Sequence, residues 1–390
     1  MPVVVLAGCG YGAIACMQAL KGKAQIIAIS PKPYLVNSGM TPRLLSGRFT
    51  PDDPQIPLEP YFQQTGTHYL AGRVNSLDPV ARVVTIQGKT QPVSYDYLVL
   101  NVGRVPDLSV PGAQEYAFSV RPVERILALR AWVQDCWQRA AARDDRAGLL
   151  TFVVAGGGYT GVELMGELHT LCQALHRTTG IPWSRVRLVL VVAGSEPAPG
   201  LNSRFSKFVA AALKRRGIAV WPASRVSRIE PTQIILQTPT GPVTLPCHTT
   251  VWATGLRVEE WLAASGLPTA SDGSVLVDRY LRVSKEERIL ALGDCACFEA
   301  NPALPKLGVY AVRAAPIVAQ NLVQIMQGGQ LTPFQPQGTV FVSVTTGARE
   351  AVMHKGWITH QGRVALKLKN LFDYLYMRRH KPVDWRKYLC

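Results

Sequence analysis

The chain has 390 residues, of which 47% are apolar and 17% are charged. A chain of this length divides into two or three domains, and the low charge content without a long polar tract excludes general disorder. Lysine and arginine number 42 against 26 acidic residues, so the formal net charge is +16. This charge favours an anionic partner but does not choose among nucleic acid, lipid headgroups and phosphorylated small molecules.

Cysteine usage and the first residues bear on the cellular compartment. Eight cysteines are scattered through the chain, and Cys295 and Cys297 form the closest pair. This number in a long chain does not indicate a disulfide framework, and no cluster has zinc spacing, so we expect a reducing compartment and no metal. A β-like run begins at Val3 without a preceding signal-type segment, and no stretch of about 20 apolar residues follows. We therefore expect a cytoplasmic protein without a spanning helix.

Two glycine-rich loops, at residues 8–13 and 156–161, each stand between an apolar run and a helical pattern. In this context the G-x-G-x-x-G/A spacing predicts a dinucleotide site, because the glycines permit a tight turn and close approach of a pyrophosphate. The following helix N-terminus offers free N–H groups and partial positive charge. The residues with these roles are Gly8, Gly10, Gly12 and Ala13 in the first loop, and Gly156, Gly158 and Gly161 in the second.

The loops belong to a longer internal repeat. Residues 71–79 parallel 223–231, and residues 97–103 parallel 250–255, at a nearly constant offset of about 150 residues. Strand and helix signals alternate, which favours a parallel α/β architecture. We predict an α/β fold with two Rossmann-like dinucleotide-binding domains, the second inserted in the first, and a C-terminal amphipathic tail. The predicted limits are 1–117 and 273–345 for the first domain, 118–272 for the second and 346–390 for the tail.

A ribose-binding carboxylate usually stands at the end of the second strand of such a domain, and neither copy has one there. The first copy has Ser30 at this position, so Ser30 or the backbone would bind the ribose. The second copy has Val192, with Glu196 beyond it. Loss of the acid removes a repulsion against a 2′-phosphate, so the second copy is open to NADPH as well as NADH.

Together these residues resemble the two-dinucleotide flavoprotein family that contains the pyridine nucleotide–disulfide oxidoreductases. Within it, residues 153–168 look like type II NADH:quinone oxidoreductases. Residues 29–31 with 37–42, and residues 305–313, look closer to the NADH dehydrogenase-like flavoproteins associated with selenophosphate synthetase. The resemblance implies FAD in the first copy, NAD(P)H in the second, hydride transfer to the flavin and reduction of a quinone. Residues 38–47 lack the cysteine pair of disulfide-reducing relatives, so we do not expect a disulfide reductase.

The resemblance also implies roles for residues of the first copy. It places Gly293 and Asp294 at the FAD ribityl-phosphate; the alternative is that Asp294 caps the next helix. The helix N-terminus at Gly308, with Lys306 close by, would face the flavin pyrimidine edge and stabilise negative charge there. The other residues expected against FAD are Val74 at the adenine, Asn101 and Gly103 beneath the cofactor, and Val309.

In the second copy, the resemblance places Glu163 near the nicotinamide and the flavin, where it would position the carboxamide or tune electron transfer. The alternative is a charge that only favours the first turn of its helix. Gly255 is the counterpart of Gly103. Candidates for the acceptor pocket are Tyr310 and Arg313. Type II enzymes carry two glutamines on this last helix, and by register Val309 and Arg313 occupy their places.

The tail has the pattern of a basic amphipathic helix from Arg363 onward, with Lys369 among its basic residues. Such a helix suits an anionic membrane surface, where it would bring a lipid-soluble quinone to the flavin on the inner face of the cell membrane. The alternative is packing on the body or on a second subunit, which would form a homodimer. No nucleic-acid recognition motif accompanies the charge, so we expect no nucleic acid. The apolar stripe is Leu368, Leu371, Phe372, Leu375 and Tyr376.

Three functions stay open at this point. The first is a peripheral membrane enzyme that passes electrons from NAD(P)H through FAD to a quinone. The second is a soluble NAD(P)H-dependent flavoprotein reductase with a non-quinone acceptor. The third is a non-catalytic FAD-binding redox sensor. Bleaching of the flavin by NAD(P)H distinguishes the third from the enzymes, and reoxidation by a quinone distinguishes the first two.

Overall fold

The computed structural model describes residues 1–142 and 147–389. The strands are β1 Val3–Ala7, β2 Gln25–Ser30, β3 Tyr34–Val36, β4 Gln55–Pro57, β5 His68–Ala71, β6 Val74–Asp78, β7 Val83–Ile86, β8 Val93–Ser94, β9 Tyr97–Leu100, β10 Val105–Pro106, β11 Ala117–Ser119, β12 Thr151–Ala155, β13 Arg187–Val191, β14 Ala219–Trp221, β15 Arg225–Glu230, β16 Gln233–Thr238, β17 Gly241–Pro246, β18 Thr249–Trp252, β19 Leu256–Arg257, β20 Val275–Val277, β21 Ile289–Ala291, β22 Ala296–Phe298, β23 Val342–Gly347, β24 Glu350–Lys355 and β25 Ile358–Gly362. The α-helices are α1 Tyr11–Leu20, α2 Arg43–Ser46, α3 Glu59–Thr65, α4 Ala113–Tyr116, α5 Glu124–Ala141, α6 Tyr159–Thr179, α7 Ser203–Arg215, α8 Glu260–Ala264, α9 Gly308–Gln327, α10 Arg363–Arg378 and α11 Arg386–Leu389.

The first compact unit comprises Met1–Val36, Gln55–Val105 and Leu256–Gly338. Its centre is a five-stranded sheet of order β21-β9-β1-β2-β5, in which every neighbouring pair is parallel. The strands read as continuous apolar runs because both faces of a parallel sheet are normally covered. Val4 and Val5 of the central strand are fully buried. An antiparallel sheet, β6-β7-β8, is inserted in the chain between β5 and β9.

The second unit comprises Asn37–Pro54, Pro106–Gly255 and Thr339–Cys390. Its main sheet has the order β11-β18-β12-β13-β14 and is again parallel throughout. All five residues of β12 are buried. A three-stranded antiparallel sheet, β15-β16-β17, is inserted between β14 and β18. A further antiparallel sheet, β23-β24-β25, follows near the C-terminus of the chain.

The two main sheets repeat one topology. In each, the strand before the glycine loop is central, the next strand lies on one side of it, and the strand after the antiparallel insert lies on the other. The predicted α/β fold with two Rossmann-like domains is therefore confirmed. The outermost strand differs in origin, because β21 follows the other strands of its sheet in the chain, whereas β11 precedes those of the second sheet.

The compact units have other limits than the predicted domains. Residues 37–54 belong to the second unit, although the prediction placed them in the first domain. Residues 346–390 also belong to the second unit rather than forming a separate segment. The sequence repeat could not reveal this, because residues 37–54 and 339–390 lie outside the repeated stretches and join the unit only through long-range contacts.

The helix predicted from Arg363 is α10, and only part of its predicted apolar stripe is exposed. Ala365 and Leu366 pack against Ala351 of β24. On the predicted stripe, Phe372 and Leu375 are exposed, while Leu368, Leu371 and Tyr376 are half-buried. One face thus packs within the second unit while another reaches solvent. Within residues 1–142 and 147–389, no helix combines the length and apolar character needed to cross a bilayer.

Candidate functional site

The first glycine loop turns over Asn101 as the chain leaves β1. Gly8 has a φ of +89°, a left-handed conformation that favours glycine, and a Cβ there would lie 2.5 Å from the carbonyl oxygen of Asn101. A Cβ at Gly10 would lie 2.7 Å from the side-chain oxygen of Asn101. α1 then begins at Tyr11 with Gly10 as its N-cap, which has no side chain to cap the first turn. The N–H groups of that turn are therefore suited to bind an anion.

Asn101 is the polar centre of this first site. It is buried immediately after β9, and its side-chain Nδ2 has no hydrogen-bond partner among the described residues. This nitrogen would lie 2.9 Å from a Cβ at Gly10 and 3.2 Å from one at Gly12. The side-chain oxygen lies 3.5 Å from the Cβ position of Gly293. An unpaired buried donor costs about 1–3 kcal/mol, so a polar group of a ligand in this cradle would stabilise it.

Other predicted contacts of the first copy lie at or within three residues after the carboxyl ends of the parallel strands β2, β5 and β9. Ser30 ends β2 and is buried, and its hydroxyl hydrogen-bonds the thiol of Cys9. Burial raises the pKa of Cys9 to about 12, although this hydrogen bond opposes the shift. Val74 opens β6 and is buried, and Gly103 has a φ of +71° two residues after Asn101. Carboxyl ends of parallel strands form the edge where such folds bind ligands.

Asp294 lies in a 3-10 turn, Gly293–Cys295, just after β21. Arg104 donates a hydrogen bond from Nε to the Asp294 backbone oxygen at 3.0 Å. Asp294 also lines a small cavity of about 50 Å³ together with Lys306 and Tyr310. Burial raises the pKa of the neighbouring Cys295 thiol, which keeps it protonated and gives it no sign of a redox role.

The residues around the start of α9 differ in burial and in hydrogen bonding. Lys306 donates a hydrogen bond from Nζ to the backbone oxygen of Ala296, and burial, with the nearby Arg104, lowers its pKa. Gly308 begins α9, and Val309 on its first turn is half-buried. The Tyr310 hydroxyl donates to the Gln337 backbone oxygen at 3.2 Å. Arg313 is exposed one turn later.

The second glycine loop repeats the geometry of the first. Gly156 has a φ of +118°, and a Cβ there would lie 2.5 Å from the carbonyl oxygen of Ala253. Gly161 faces the backbone of Gly156, so a side chain there would force the loop and helix apart. α6 begins at Tyr159 with Gly158 as its N-cap. A Cβ at Gly158 would meet nothing within 4 Å among the described residues, so this approach to the loop is open.

An apolar residue occupies the ribose-acid position of the second copy. Val192 packs against the loop so closely that a Cβ at Gly157 would lie 2.6 Å from its Cγ2. Gly255 has a φ of +64°, and a Cβ there would lie 3.1 Å from the Cβ of Asp107. The loop therefore has no carboxylate at the register position where one would select against a 2′-phosphate.

Glu163 starts a buried chain of alternating charges. Its Oε1 accepts hydrogen bonds from the backbone N–H of Thr345 at 3.1 Å and from the Thr345 hydroxyl at 3.3 Å. Lys369 of α10 places Nζ 3.4 Å from the same oxygen and 3.8 Å from Oδ2 of Asp373. Arg43 of α2 places Nη2 3.0 Å from Asp373 Oδ2, as an ion pair without hydrogen-bond alignment. Two anions thus alternate with two cations inside the second unit.

A second buried acid lies one turn further along α6. Glu167 is fully buried, forms an ion pair with Arg48 and accepts a hydrogen bond from the Ser46 hydroxyl at 2.5 Å. Sequence reasoning did not single out Glu167, and it treated Lys369 only as part of a basic tail. The available signal was the spacing of Glu163 and Glu167, which places both carboxylates on one helix face. Their partners lie more than 100 residues away in the chain, which no local pattern reveals.

Comparison with known proteins identifies the family. A family model described as Pyridine nucleotide-disulphide oxidoreductase matches residues 2–316. Among curated proteins, the chain is 28% identical over 319 residues to External alternative NAD(P)H-ubiquinone oxidoreductase B2, mitochondrial, of Arabidopsis thaliana, covering 75% of this chain but only 54% of that protein. It is 24% identical over 353 residues to Type II NADH:quinone oxidoreductase of Staphylococcus aureus, covering 86% of each.

Solved structures share the fold at low sequence identity. NDH2 from Plasmodium falciparum in complex with NADH has a TM-score of 0.85 and 15% identity, covering 99% of this chain and 96% of that chain. The sulfide:quinone oxidoreductase of Aquifex aeolicus has a TM-score of 0.81 and 21% identity, covering 97% of this chain and 91% of that chain. At these identities the likeness establishes the common fold.

Proposed function

Because this chain belongs to the pyridine nucleotide-disulphide oxidoreductase family, we propose that it is an FAD-dependent NAD(P)H:quinone oxidoreductase. The observation that carries the proposal is the duplicated site. Each unit has a parallel sheet whose central strand runs into a glycine loop and an uncapped helix N-terminus, at Gly10 and at Gly158. Two such sites in one chain suit one resident and one exchanging dinucleotide.

The first unit fits FAD best. Its loop accepts a pyrophosphate at Gly8 and Gly10, and the unpaired Asn101 amide offers a buried donor beside them. Gly293 and Asp294 would bind the ribityl chain. FAD supplies the two-electron chemistry that links a nicotinamide to an acceptor. The residues proposed to hold it are Gly8, Gly10, Gly12, Ala13, Ser30, Val74, Asn101, Gly103, Gly293, Asp294, Gly308 and Val309.

Around α9, the chain would stabilise negative charge on the bound cofactor in two ways. The helix N-terminus at Gly308 carries partial positive charge. Lys306 adds a cation that is held in place by the Ala296 carbonyl. We assign Lys306 to this electrostatic role, and we assign Tyr310 and Arg313 to the approach of the acceptor.

The second unit would bind NAD(P)H at Gly156, Gly158 and Gly161, with Gly255 at the end of the adjacent strand. Val192 imposes no charge repulsion on a 2′-phosphate, so both NADH and NADPH are substrates in this proposal. Glu163 is a positioning residue here, because Thr345 and Lys369 hold its carboxylate in one place. Its fixed negative charge would tune the electron transfer that follows nicotinamide binding.

A quinone is the acceptor that the relatives favour, since the plant and staphylococcal proteins are named for ubiquinone and quinone. The C-terminal part of the second unit supports docking on a membrane, because large apolar side chains are exposed among basic ones. Trp357 is 88% exposed, and Phe372 and Leu375 of α10 also reach solvent. We propose peripheral attachment of this surface to the inner face of the cell membrane. Exposed basic residues of the same region are Lys355, Arg363, Lys367, Arg378 and Arg379.

Anaerobic mixing with NADH or NADPH tests the enzymatic proposal. We expect the flavin absorbance to bleach within seconds, and a water-soluble quinone to restore it faster than air does. A flavin that stays unbleached with both nucleotides would favour a redox sensor. Bleaching followed by no quinone-dependent recovery would favour a reductase with another acceptor, consistent with Val309 and Arg313 at the glutamine positions of type II enzymes.

Sedimentation with anionic liposomes tests the membrane proposal. The double variant W357S/L375S removes exposed apolar area without touching the buried charge chain, and we expect liposome binding to weaken about tenfold or more. The matched control is V80S, because Val80 is 92% exposed in the first unit. Equal liposome binding by wild type and W357S/L375S would refute attachment through this surface.

A further inference from the structure

A cavity of about 650 Å³ in the second unit belongs to neither glycine loop. It is lined by the C-terminal half of α6, the end of α7 and the turn after β23. Gln173 of α6 lies 15 residues beyond Gly158, which is about 22 Å along a helix. A volume of this size lies within the range of about 300–1,000 Å³ that is typical of small-molecule sites.

The charge of the cavity lining is strongly positive. It contains four arginines, Arg177, Arg215, Arg216 and Arg349. Arg216 and Arg215 share Glu350, at 2.7 Å and 3.2 Å from its Oε1. Neither Arg177 nor Arg349 forms an ion pair within residues 1–142 and 147–389. Glu350 thus pairs with two of the four guanidinium groups, and the excess positive charge of the lining favours a ligand with several negative charges.

The cavity lining also includes a large aromatic side chain. Trp183 lines it in a half-buried position, and its ring centroid lies 5.6 Å from that of His169 and 5.8 Å from that of His176. Burial, together with the charge of Arg216, lowers the pKa of His169 to about 4, so this imidazole is neutral near pH 7. An indole beside arginines is the combination that binds a nucleobase and its phosphates.

We propose that this cavity binds a nucleoside phosphate as a second, non-redox ligand. The phosphates would lie on the guanidinium side formed by Arg177 and Arg349 with the Arg215–Arg216 pair. The base would pack against Trp183. Arginine suits this ligand because its planar fork matches phosphate oxygens two at a time, and the indole suits any base because every base has a π face.

Calorimetric titration of the FAD-loaded full-length protein with ATP tests the proposal, in the presence of saturating NAD⁺ so that the dinucleotide loop is occupied. We expect one ATP to bind per chain under these conditions. The double variant R177Q/R349Q should weaken ATP binding about tenfold or more, while it keeps NADH oxidation and its thermal midpoint. The matched control is K214Q, which removes an exposed cation of α7 that does not line the cavity.

Two further probes separate the two halves of the ligand. Pyrophosphate should bind more weakly than ATP, and W183L should weaken ATP binding without changing pyrophosphate binding. The proposal is overturned if NAD⁺ displaces ATP stoichiometrically, if R177Q/R349Q binds ATP like wild type, or if no binding occurs at millimolar ATP. Equal binding of ATP and pyrophosphate, unaffected by W183L, would also contradict it, because the site would then recognise only an anion. These outcomes leave flavin reduction by NADH untouched, so they do not depend on the fate of the oxidoreductase proposal.

Discussion

Nζ of Lys369 lies 3.4 Å from Oε1 of Glu163, and this ion pair joins α10 to α6, the helix that begins at the second glycine loop. Both side chains are 9% exposed, so the Glu163 carboxylate depends on Lys369 as its cation, while Lys369 also lies between Glu163 and Asp373. The sequence pattern placed Lys369 among the cations of a surface-seeking tail. The structure instead makes it an internal partner of the residue that the family resemblance places near the nicotinamide.

Removing one member of this pair should cost more than removing both. K369M leaves the Glu163 carboxylate buried without its cation, and we expect a loss of about 3 kcal/mol in the free energy of unfolding. E163Q/K369M should recover part of that loss, because neither buried charge remains. Urea denaturation of the wild type, both single variants and the double variant measures the coupling. A double variant less stable than K369M would show that the two side chains do not compensate each other.

The open approach at Gly158 predicts a variant that is folded but weak in nucleotide binding. In G158A the new Cβ has no neighbour within 4 Å in the part of the chain that the structure describes. We therefore expect a free energy of unfolding within about 1 kcal/mol of wild type. The same methyl group stands where a pyrophosphate must approach, so KM for NADH should rise about tenfold or more. G338A, another glycine with open space around it, is the control. An unchanged KM in G158A would remove this loop from nucleotide binding.

The unpaired amide of Asn101 predicts opposite effects on the two forms of the protein. In N101L, the apoprotein should be as stable as wild type or more so, because a buried donor without a partner is replaced by an apolar side chain. FAD binding should weaken about tenfold or more, because the ligand loses that donor. Thermal midpoints of the apoprotein and equilibrium dialysis of FAD measure the two effects. Wild-type affinity for FAD in N101L would place the cofactor away from this amide.

His169 predicts a loss of stability in mild acid. Burial, with Arg216, lowers its pKa from 6.5 to about 4 in the folded chain. The unfolded chain then binds the additional proton between these values, so the contribution is fully present above pH 6.5 and is lost as the pH falls toward 4. Because the ring is only half-buried, we expect no more than about 1–2 kcal/mol. H169Q should show a smaller decrease than wild type over this range in urea melts at several pH values, and identical pH profiles would contradict the assignment.

Local sequence patterns were sufficient for the repeated sheets and their loops. Gly8 and Gly156 adopt positive φ, and a Cβ at either would meet the backbone just after an adjacent strand, at Asn101 after β9 and at Ala253 after β18. Both features favour glycine, so the loop spacing between an apolar run and a helical pattern identified these positions. The buried face of α10 was not predictable in the same way. Residues 365, 369, 373 and 377 of this face recur at four-residue spacing. Two of them, Lys369 and Asp373, are charged, so a search for apolar periodicity does not detect the face.

Buried ion pairs tie the C-terminal tail to the rest of the second unit. Deleting the chain from Arg363 onward would remove Lys369 and Asp373 and leave Glu163 and Arg43 without these ion-pair partners. Such a truncation therefore tests stability as much as membrane attachment. Point substitutions on the exposed face of α10 separate the two properties.

The different chain origin of β21 and β11 bears on the order of events at the ribosome. The second sheet is complete once β18 has emerged at Trp252, whereas the first sheet waits for β21 at Ile289. The main sheet of the second unit can therefore form during synthesis while β9 of the first unit still lacks its edge partner β21. Because translation runs from the N-terminus, the main sheet of the first unit stays incomplete for longer than that of the second unit. Its unpaired strand edge is therefore accessible to chaperones for longer.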